Sequence, residues 1–215
     1  MTAQTRNILI GTIVVGILAG AFIFYRTNIS GTACKDVVPK PTIIALGDSL
    51  VAGYGAPEGQ DFVTGLSSQI GVPITNLGVS GDTTAQGLAR ASEIEESPDI
   101  AIILLGGNDA LRKVPLEQTK SNLGKIIEKF QADKTKNTRV ILIGVLGGFP
   151  IDPYSGMFKD LAKQYDVTYV PNILSGLFGR SGFMSEDGIH PNAAGYAKIA
   201  DRLYPVVEEE CGGAL

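Results

Sequence analysis

The sequence predicts an α/β fold, in which a central parallel sheet is covered by helices on both sides. Three uninterrupted aliphatic runs of strand length, Thr42–Leu46, Asp99–Leu105 and Arg139–Val145, have the pattern of strands that are buried on both faces. Segments with helical spacing of apolar residues alternate with these runs, which is typical of a parallel sheet. The chain has 215 residues, of which 44% are hydrophobic, and this is sufficient for one domain with a sizeable core.

An apolar segment precedes this domain. Ile8–Tyr25 contains 18 uncharged residues between Arg6 and Arg26, and as a helix it would be about 27 Å long, close to the thickness of a bilayer core. We expect an uncleaved membrane anchor. The alternative is a cleaved signal peptide, since Ala19–Ala21 fits a small-residue cleavage site, but Phe22–Tyr25 would continue the apolar run past that cut.

The chain is therefore divided into an anchor or signal segment over residues 1–26, a linker over residues 27–40 and one globular domain over residues 41–215. We expect the domain to lie outside the cytoplasm, held at the cell membrane by the anchor or secreted after cleavage. Cys34 lies before the first strand and Cys211 after the last helix, and an oxidising compartment favours a disulfide between them. The open alternative is two unrelated thiols.

Weaker patterns complete the fold. Ile74–Leu77 and Val167–Val170 are further candidate strands, so the predicted sheet has about five. One helix follows Pro115, with Leu116, Leu123, Ile126, Ile127 and Phe130 on one face, and a last helix carries Ala193, Tyr196, Ala197, Ala200, Leu203 and Val207.

Composition argues against two classes of function. The net charge of -4 and the isoelectric point near 5.1 do not fit a protein that binds the phosphate backbone of nucleic acids. A single histidine and two distant cysteines offer no metal-ligand spacing, so we expect neither a metal nor another cofactor.

Four glycine-containing segments follow predicted strands. "GDSLVAGYG" follows the first strand, "GVSGDTT" the second, "GGNDAL" the third, and "DGIHPN" comes after the last. Ligands bind to α/β sheets beyond the carboxyl ends of the strands, so all four segments are expected at one edge of the sheet.

Two of these segments contain the groups that nucleophilic catalysis requires. Ser49 directly follows a buried strand, but a serine hydroxyl reacts at neutral pH only if a base removes its proton. His190 is the only histidine, and Asp187 lies three residues before it, close enough in a turn to orient the imidazole. The alternatives are that Ser49 caps a helix and that the Asp187 segment is merely a turn.

The other two segments offer hydrogen-bond donors for a developing oxyanion. Glycine at position 81 lets a backbone N–H approach a ligand closely, and the side chain of Asn108 carries two N–H groups. Each of them, taken alone, also fits a turn or capping residue.

Together, the four segments resemble the blocks of the SGNH, or GDSL, hydrolases, in the order of that family, and most resemble its bacterial thioesterase I, lysophospholipase and arylesterase subgroup. The resemblance implies a flavodoxin-like three-layer sandwich and hydrolysis of esters or thioesters without a metal. It implies Ser49 as nucleophile, His190 as base and Asp187 as the partner of the base. The oxyanion hole would consist of the backbone N–H groups of Ser49 and Gly81 and the side chain of Asn108.

Substrate identity stays open at this point. The resemblance favours an esterase for small acyl esters, acyl thioesters or lysophospholipids, and the same site could serve a carbohydrate O-acetylesterase or an acyltransferase. A non-catalytic binding module is the third hypothesis. Phe149 and Ile151 follow the fourth strand at the ligand edge and are the candidate lining of an acyl pocket.

Overall fold

The parallel sheet is present in a computed structural model that describes residues 33–145 and 153–212. Five strands pair in parallel throughout, in the order β2-β1-β3-β4-β5. Their bounds are Ile43–Gly47 (β1), Ile74–Gly78 (β2), Ile100–Leu104 (β3), Arg139–Ile143 (β4) and Thr168–Val170 (β5). This is the flavodoxin-like order, in which the direction of winding reverses between β1 and β3 and opens a crevice at their carboxyl ends.

Helices cover the sheet in two layers. Their bounds are Ser49–Ala52 (α1), Phe62–Ile70 (α2), Thr84–Glu93 (α3), Gly107–Leu111 (α4), Leu116–Gln131 (α5), Pro153–Tyr165 (α6) and Ala193–Gly212 (α7). The helix α2 packs against α7, whereas α5 packs against both α3 and α6. Two separate layers result because right-handed crossovers that proceed in opposite directions from β1 place their helices on opposite faces.

Burial differs between the centre and the edges of the sheet. Every residue of β3 is buried, and β1 and β4 are nearly so, as their continuous aliphatic sequences predict. The edge strand β2 exposes Thr75 and Asn76, and the three residues of the other edge strand, β5, are only half-buried. The polar positions of the edge strands explain their weaker sequence signal.

A close contact at Gly78 brings α1 against the carboxyl edge of the sheet. A Cβ atom at Gly78 would lie 2.1 Å from the backbone nitrogen of Ala52, so a larger residue would push this single helical turn away from β2. The side chain of Asn76 donates to the carbonyl of Val51 at 2.8 Å and holds the same turn. The first residue of α1, Ser49, is thereby fixed at the edge where β1 ends.

The predicted disulfide between Cys34 and Cys211 is confirmed, and both residues are fully buried. Cys211 lies in the last turn of α7. Next to it, Glu210 contacts the first residues of β4 and β5, accepting hydrogen bonds from Arg139 and Thr168. The disulfide therefore lies at the amino edge of the sheet, opposite the edge that carries Ser49.

Three predicted features lie outside the described residues. They are the apolar segment Ile8–Tyr25 and the two pocket residues Phe149 and Ile151. Within residues 33–145 and 153–212, no helix has both the length and the apolar character needed to cross a bilayer.

Candidate active site

Ser49 begins α1 immediately after β1, and its side chain is half-buried. The capping role that the sequence left open for Ser49 belongs to Asp48, whose carboxylate accepts the backbone N–H of Leu50 at 3.0 Å. The hydroxyl of Ser49 is consequently not engaged in capping and is available to another group.

The loop before α7 carries the imidazole. Met184 and Pro191 form an isolated antiparallel bridge, and Ser185 donates its backbone N–H to the carbonyl of His190 at 2.8 Å. Between them the chain reverses at Gly188, which has a φ of 68°. This short closed loop folds the carboxylate of Asp187 back onto its own backbone.

Asp187 accepts several hydrogen bonds in this loop. Its Oδ1 atom receives the N–H of Ile189 at 2.8 Å, the N–H of His190 at 2.9 Å and the hydroxyl of Ser185 at 2.7 Å. The backbone N–H of His190, followed by its imidazole, holds the pKa of Asp187 well below the usual value of an aspartate. The carboxylate is therefore ionised at neutral pH.

A continuous chain of hydrogen bonds connects the three side chains that the sequence singled out. His190 Nδ1 lies 2.6 Å from Asp187 Oδ2, and His190 Nε2 lies 2.9 Å from Ser49 Oγ. The rings of Tyr54 and His190 make a T-shaped contact, with their centroids 4.7 Å apart. This geometry allows the imidazole to take the proton of the Ser49 hydroxyl while the carboxylate balances the charge that results.

The loop after β2, which we call the oxyanion loop, comprises Val79–Asp82. It is a β-turn closed by the Asp82 N–H on the Val79 carbonyl at 3.1 Å, and Gly81 has a φ of 87° at the third position, as a type II turn requires. Among the described residues, no acceptor receives the N–H of Gly81 or the N–H of Ser49. Both groups are therefore available to a ligand oxygen.

Asn108 lies near the start of α4, directly beyond β3. Its Nδ2 atom donates to the carbonyl of Asp82 at 3.0 Å and makes a longer contact of 3.4 Å with Asp48 Oδ2. Because the 3.4 Å contact is weak, the N–H group that makes it can be redirected to a ligand. The structure thus brings the five residues predicted for catalysis and for the oxyanion hole to one edge of the sheet.

Burial changes the electrostatics of Asp48. Its side chain is almost fully buried beneath α1, and the loss of hydration raises its pKa to about 6. The N–H of Leu50 and the charge that His190 carries when it is protonated oppose this rise, whereas the charge of Asp82 adds to it. Asp48 therefore changes its charge close to neutral pH, directly beside Ser49.

Two arginines that the sequence analysis did not single out contact the oxyanion loop. Arg90 pairs with the carboxylate of Asp82 at 2.6 Å and donates to the carbonyls of Leu77 and Gly47 at 2.7 and 3.0 Å. Arg112 donates to the carbonyl of Gly81 at 2.9 Å. Neither lies in a segment with a recognisable motif, and the carbonyls of Gly47 and Gly81 that they bind are 43 and 31 residues away in sequence.

Comparison with known sequences places this site in a family. The profile of the GDSL-like Lipase/Acylhydrolase family matches residues 45–198, which include all four site segments. The chain belongs to this family. The resemblance predicted from the four segments is thereby confirmed, and with it the SGNH-hydrolase α/β fold and the assignment of the chain as an ester-hydrolase enzyme.

Individual GDSL relatives cover most of the described domain. Esterase TesA of Pseudomonas aeruginosa is 32% identical over 179 residues, covering 78% of this chain and 88% of its own length. Thioesterase 1/protease 1/lysophospholipase L1 of Escherichia coli is 31% identical, covering 79% of this chain and 86% of its own. The crystal structure of TesA matches with a TM-score of 0.72 at 31% identity, over 79% of this chain and 99% of that chain.

Proposed function

We propose that this GDSL hydrolase cleaves carboxylic esters and thioesters by a serine mechanism, with Ser49 as nucleophile, His190 as base and Asp187 as the residue that orients the base. The observation that carries the proposal is the uninterrupted series of hydrogen bonds from Ser49 Oγ to His190 and on to Asp187, at 2.9 and 2.6 Å. A nucleophile, a base and an oriented partner within hydrogen-bond distance are the arrangement that acyl transfer requires.

Acylation is the first half of the reaction. His190 Nε2 takes the proton of Ser49 as the Oγ atom attacks the carbonyl carbon of the substrate. The oxyanion that forms accepts the N–H groups of Ser49 and Gly81 and one N–H of Asn108, which leaves its 3.4 Å contact with Asp48. Collapse of this intermediate expels the alcohol or thiol, which receives the proton from His190, and leaves an acyl group on Ser49.

Deacylation repeats these roles with water. His190 removes a proton from water, the resulting nucleophile attacks the acyl carbonyl, and the same donors hold the second oxyanion. The carboxylic acid is released when Ser49 recovers its proton from His190. The ionised Asp187 stabilises the imidazolium in both halves.

The surroundings of the site favour substrates with an apolar acyl or aryl group. Tyr54, Val79 and Ile189 are 57%, 44% and 53% exposed, and each belongs to a segment that carries a proposed catalytic or oxyanion-hole residue. The names of the relatives, esterase and thioesterase 1/lysophospholipase L1, support the same substrate class. We therefore propose small acyl esters, acyl thioesters and lysophospholipids as substrates.

The test is turnover of p-nitrophenyl esters by the wild type and by Ser49→Ala. Ser49→Ala should abolish both turnover and labelling by a fluorophosphonate. Ser68→Ala is the matched control, because this exposed serine only donates to the carbonyl of Thr64 within α2. Equal turnover in Ser49→Ala and the wild type would refute the mechanism, and faster cleavage of acetylated sugars than of acyl esters and thioesters would refute the substrate class.

We also propose that residues 8–25 anchor the protein in the cell membrane with the catalytic domain outside the cytoplasm. The 18 uncharged residues and the disulfide support this location, since disulfides persist in oxidising compartments. Membrane fractions washed with carbonate should retain the full chain and release a version without residues 1–26. An intact mass that lacks the first 20 or so residues would instead support a secreted protein and refute the anchor.

A further inference from the structure

Three side chains from different elements hold the oxyanion loop. Arg90 of α3 pairs with the Asp82 carboxylate at 2.6 Å, Asn108 of α4 donates to the Asp82 carbonyl at 3.0 Å, and Arg112 donates to the Gly81 carbonyl at 2.9 Å. The carbonyl groups of Gly81 and Asp82, which follow the Gly81 N–H along the chain, are thus both held by side chains from outside the loop. Preorganised donors of this kind are what oxyanion stabilisation requires.

Arg112 differs from the other two because it is exposed and bonds to the carbonyl of the donor residue itself. It directly follows α4, and its Nη2 atom would lie 3.5 Å from a Cβ added at Gly81, so the guanidinium lies over this residue. Within residues 33–145 and 153–212, Arg112 forms no ion pair. Its bond to Gly81 is therefore not a by-product of pairing with a nearby carboxylate.

The oxyanion loop needs such an external contact because of its glycine. A φ of 87° suits glycine, but glycine also adopts negative φ values readily. A shift of the Gly81 carbonyl would change φ or ψ of this flexible residue and displace its N–H from the substrate oxygen. Gly81 alone therefore does not keep its N–H in the productive orientation.

We propose that Arg112 is a positioning residue, which holds the Gly81 carbonyl and thereby keeps the Gly81 N–H directed at the oxyanion. The inference rests on the proposed function, because it assigns the Gly81 N–H to the oxyanion hole. Arg112 does not touch the reacting atoms. Its loss should act on the transition state more than on substrate binding, since the oxyanion forms only as the reaction proceeds.

The first measurement is steady-state kinetics of Arg112→Ala with p-nitrophenyl acetate. We expect kcat to fall about 10- to 100-fold with little change in KM, which is less than the loss of an entire oxyanion donor. Lys113→Ala is the matched control, because it removes a neighbouring exposed cation that does not contact the oxyanion loop, and it should keep wild-type kcat. A kcat of Arg112→Ala within twofold of the wild type, or an equal loss in Lys113→Ala, would overturn the proposal.

A double-mutant cycle distinguishes action through Gly81 from a general structural effect. Gly81→Ala disfavours the positive φ and displaces the N–H, yet its Cβ would make only an ordinary 3.5 Å contact with Arg112. In the Gly81→Ala background, Arg112→Ala should lower kcat less than about threefold, because its target is already displaced. Multiplicative losses in the double variant would show that Arg112 acts elsewhere.

The pH profile separates positioning from an electrostatic effect on the base. Arg112→Ala leaves the contacts among Ser49, His190 and Asp187 intact, so the apparent pKa of kcat/KM should equal that of the wild type. A shifted pKa would mean that the guanidinium charge acts on His190 and would overturn the proposal. If Ser49→Ala retained turnover, the serine mechanism itself would fail, whereas wild-type behaviour of Arg112→Ala alone would refute only the role of Arg112.

Discussion

Replacement of Asp48 by asparagine should increase the stability of the protein at alkaline pH but not at acidic pH. The carboxyl group is buried beneath α1, and burial raises its pKa to about 6 from an ordinary value of 3.8. Asparagine keeps an oxygen that can accept the Leu50 N–H and cap the helix about as well as aspartate does. It removes the charge that the interior disfavours.

The magnitude follows from the difference between the two pKa values. The folded state binds the Asp48 proton more tightly than the unfolded state, so the contribution of this group to stability is fully present below pH 3.8 and is lost as the pH rises through about 6. Each pKa unit corresponds to about 1.4 kcal/mol, and the loss is about 3 kcal/mol above pH 7. Repulsion between the new amide and the Nδ2 of Asn108 would cost about 1 kcal/mol at every pH.

The assay is equilibrium unfolding in urea, with the disulfide oxidised, for the wild type and Asp48→Asn at pH 4 and at pH 8. The difference in unfolding free energy between variant and wild type should be about 2 kcal/mol more favourable to the variant at pH 8 than at pH 4, because part of the effect is already lost at pH 4, just above the unfolded-state pKa of 3.8. The subtraction at each pH removes the opposite contribution of Asp187, whose pKa is lowered on folding. An equal difference in unfolding free energy at the two pH values would refute the conclusion that burial raises the pKa of Asp48 in the folded protein.

Three further predictions concern the site and the disulfide. Asp187→Asn should lower kcat by about 10³- to 10⁴-fold although Ser49 is unchanged, because the imidazole loses the carboxylate that orients it. A loss of kcat below tenfold in steady-state assays of ester hydrolysis would contradict this role. Asn108→Ala should lower kcat about 100- to 1,000-fold with a smaller change in KM, and unchanged fluorophosphonate labelling would contradict it. Replacing Cys34 and Cys211 by serine should lower the unfolding free energy by up to about 5 kcal/mol, as measured in urea, since the disulfide joins residues 177 positions apart; equal stability of variant and wild type would contradict this.

The sequence predicted the centre of the sheet better than its edges. Strands β1, β3 and β4 are buried on both faces, so almost every position must be aliphatic, and the resulting runs are visible without any structure. Asn76 shows why β2 is harder to recognise. Its amide holds α1 through the carbonyl of Val51, a contact that depends on the fold and leaves no periodic pattern.

In the site, too, residues with local contacts were predicted from the sequence, whereas residues whose contacts depend on the tertiary fold were not. The turn from Asp187 to His190 is local, and Ser49 directly follows a buried strand, so spacing alone suggested both groups. Arg90 and Arg112 act on carbonyl or carboxylate groups that only the tertiary fold brings near, and Arg112 is separated from Gly81 by 31 residues. An arginine that bonds to backbone carbonyls has no partner residue type that could reveal it in the sequence.

The long helix α7 determines the positions at which a tag, a fusion partner or a solid support can be joined to the catalytic domain. It contains 20 residues and is therefore about 30 Å long, starting beside the His190 loop and carrying Cys211, which is bonded to Cys34, in its last turn. Residues 33 and 212, next to this disulfide, consequently lie on the side of the domain away from Ser49. A tag, a fusion partner or a solid support joined through either of these positions leaves the catalytic edge open to substrate, and a short linker between them would permit circular permutation at a surface loop.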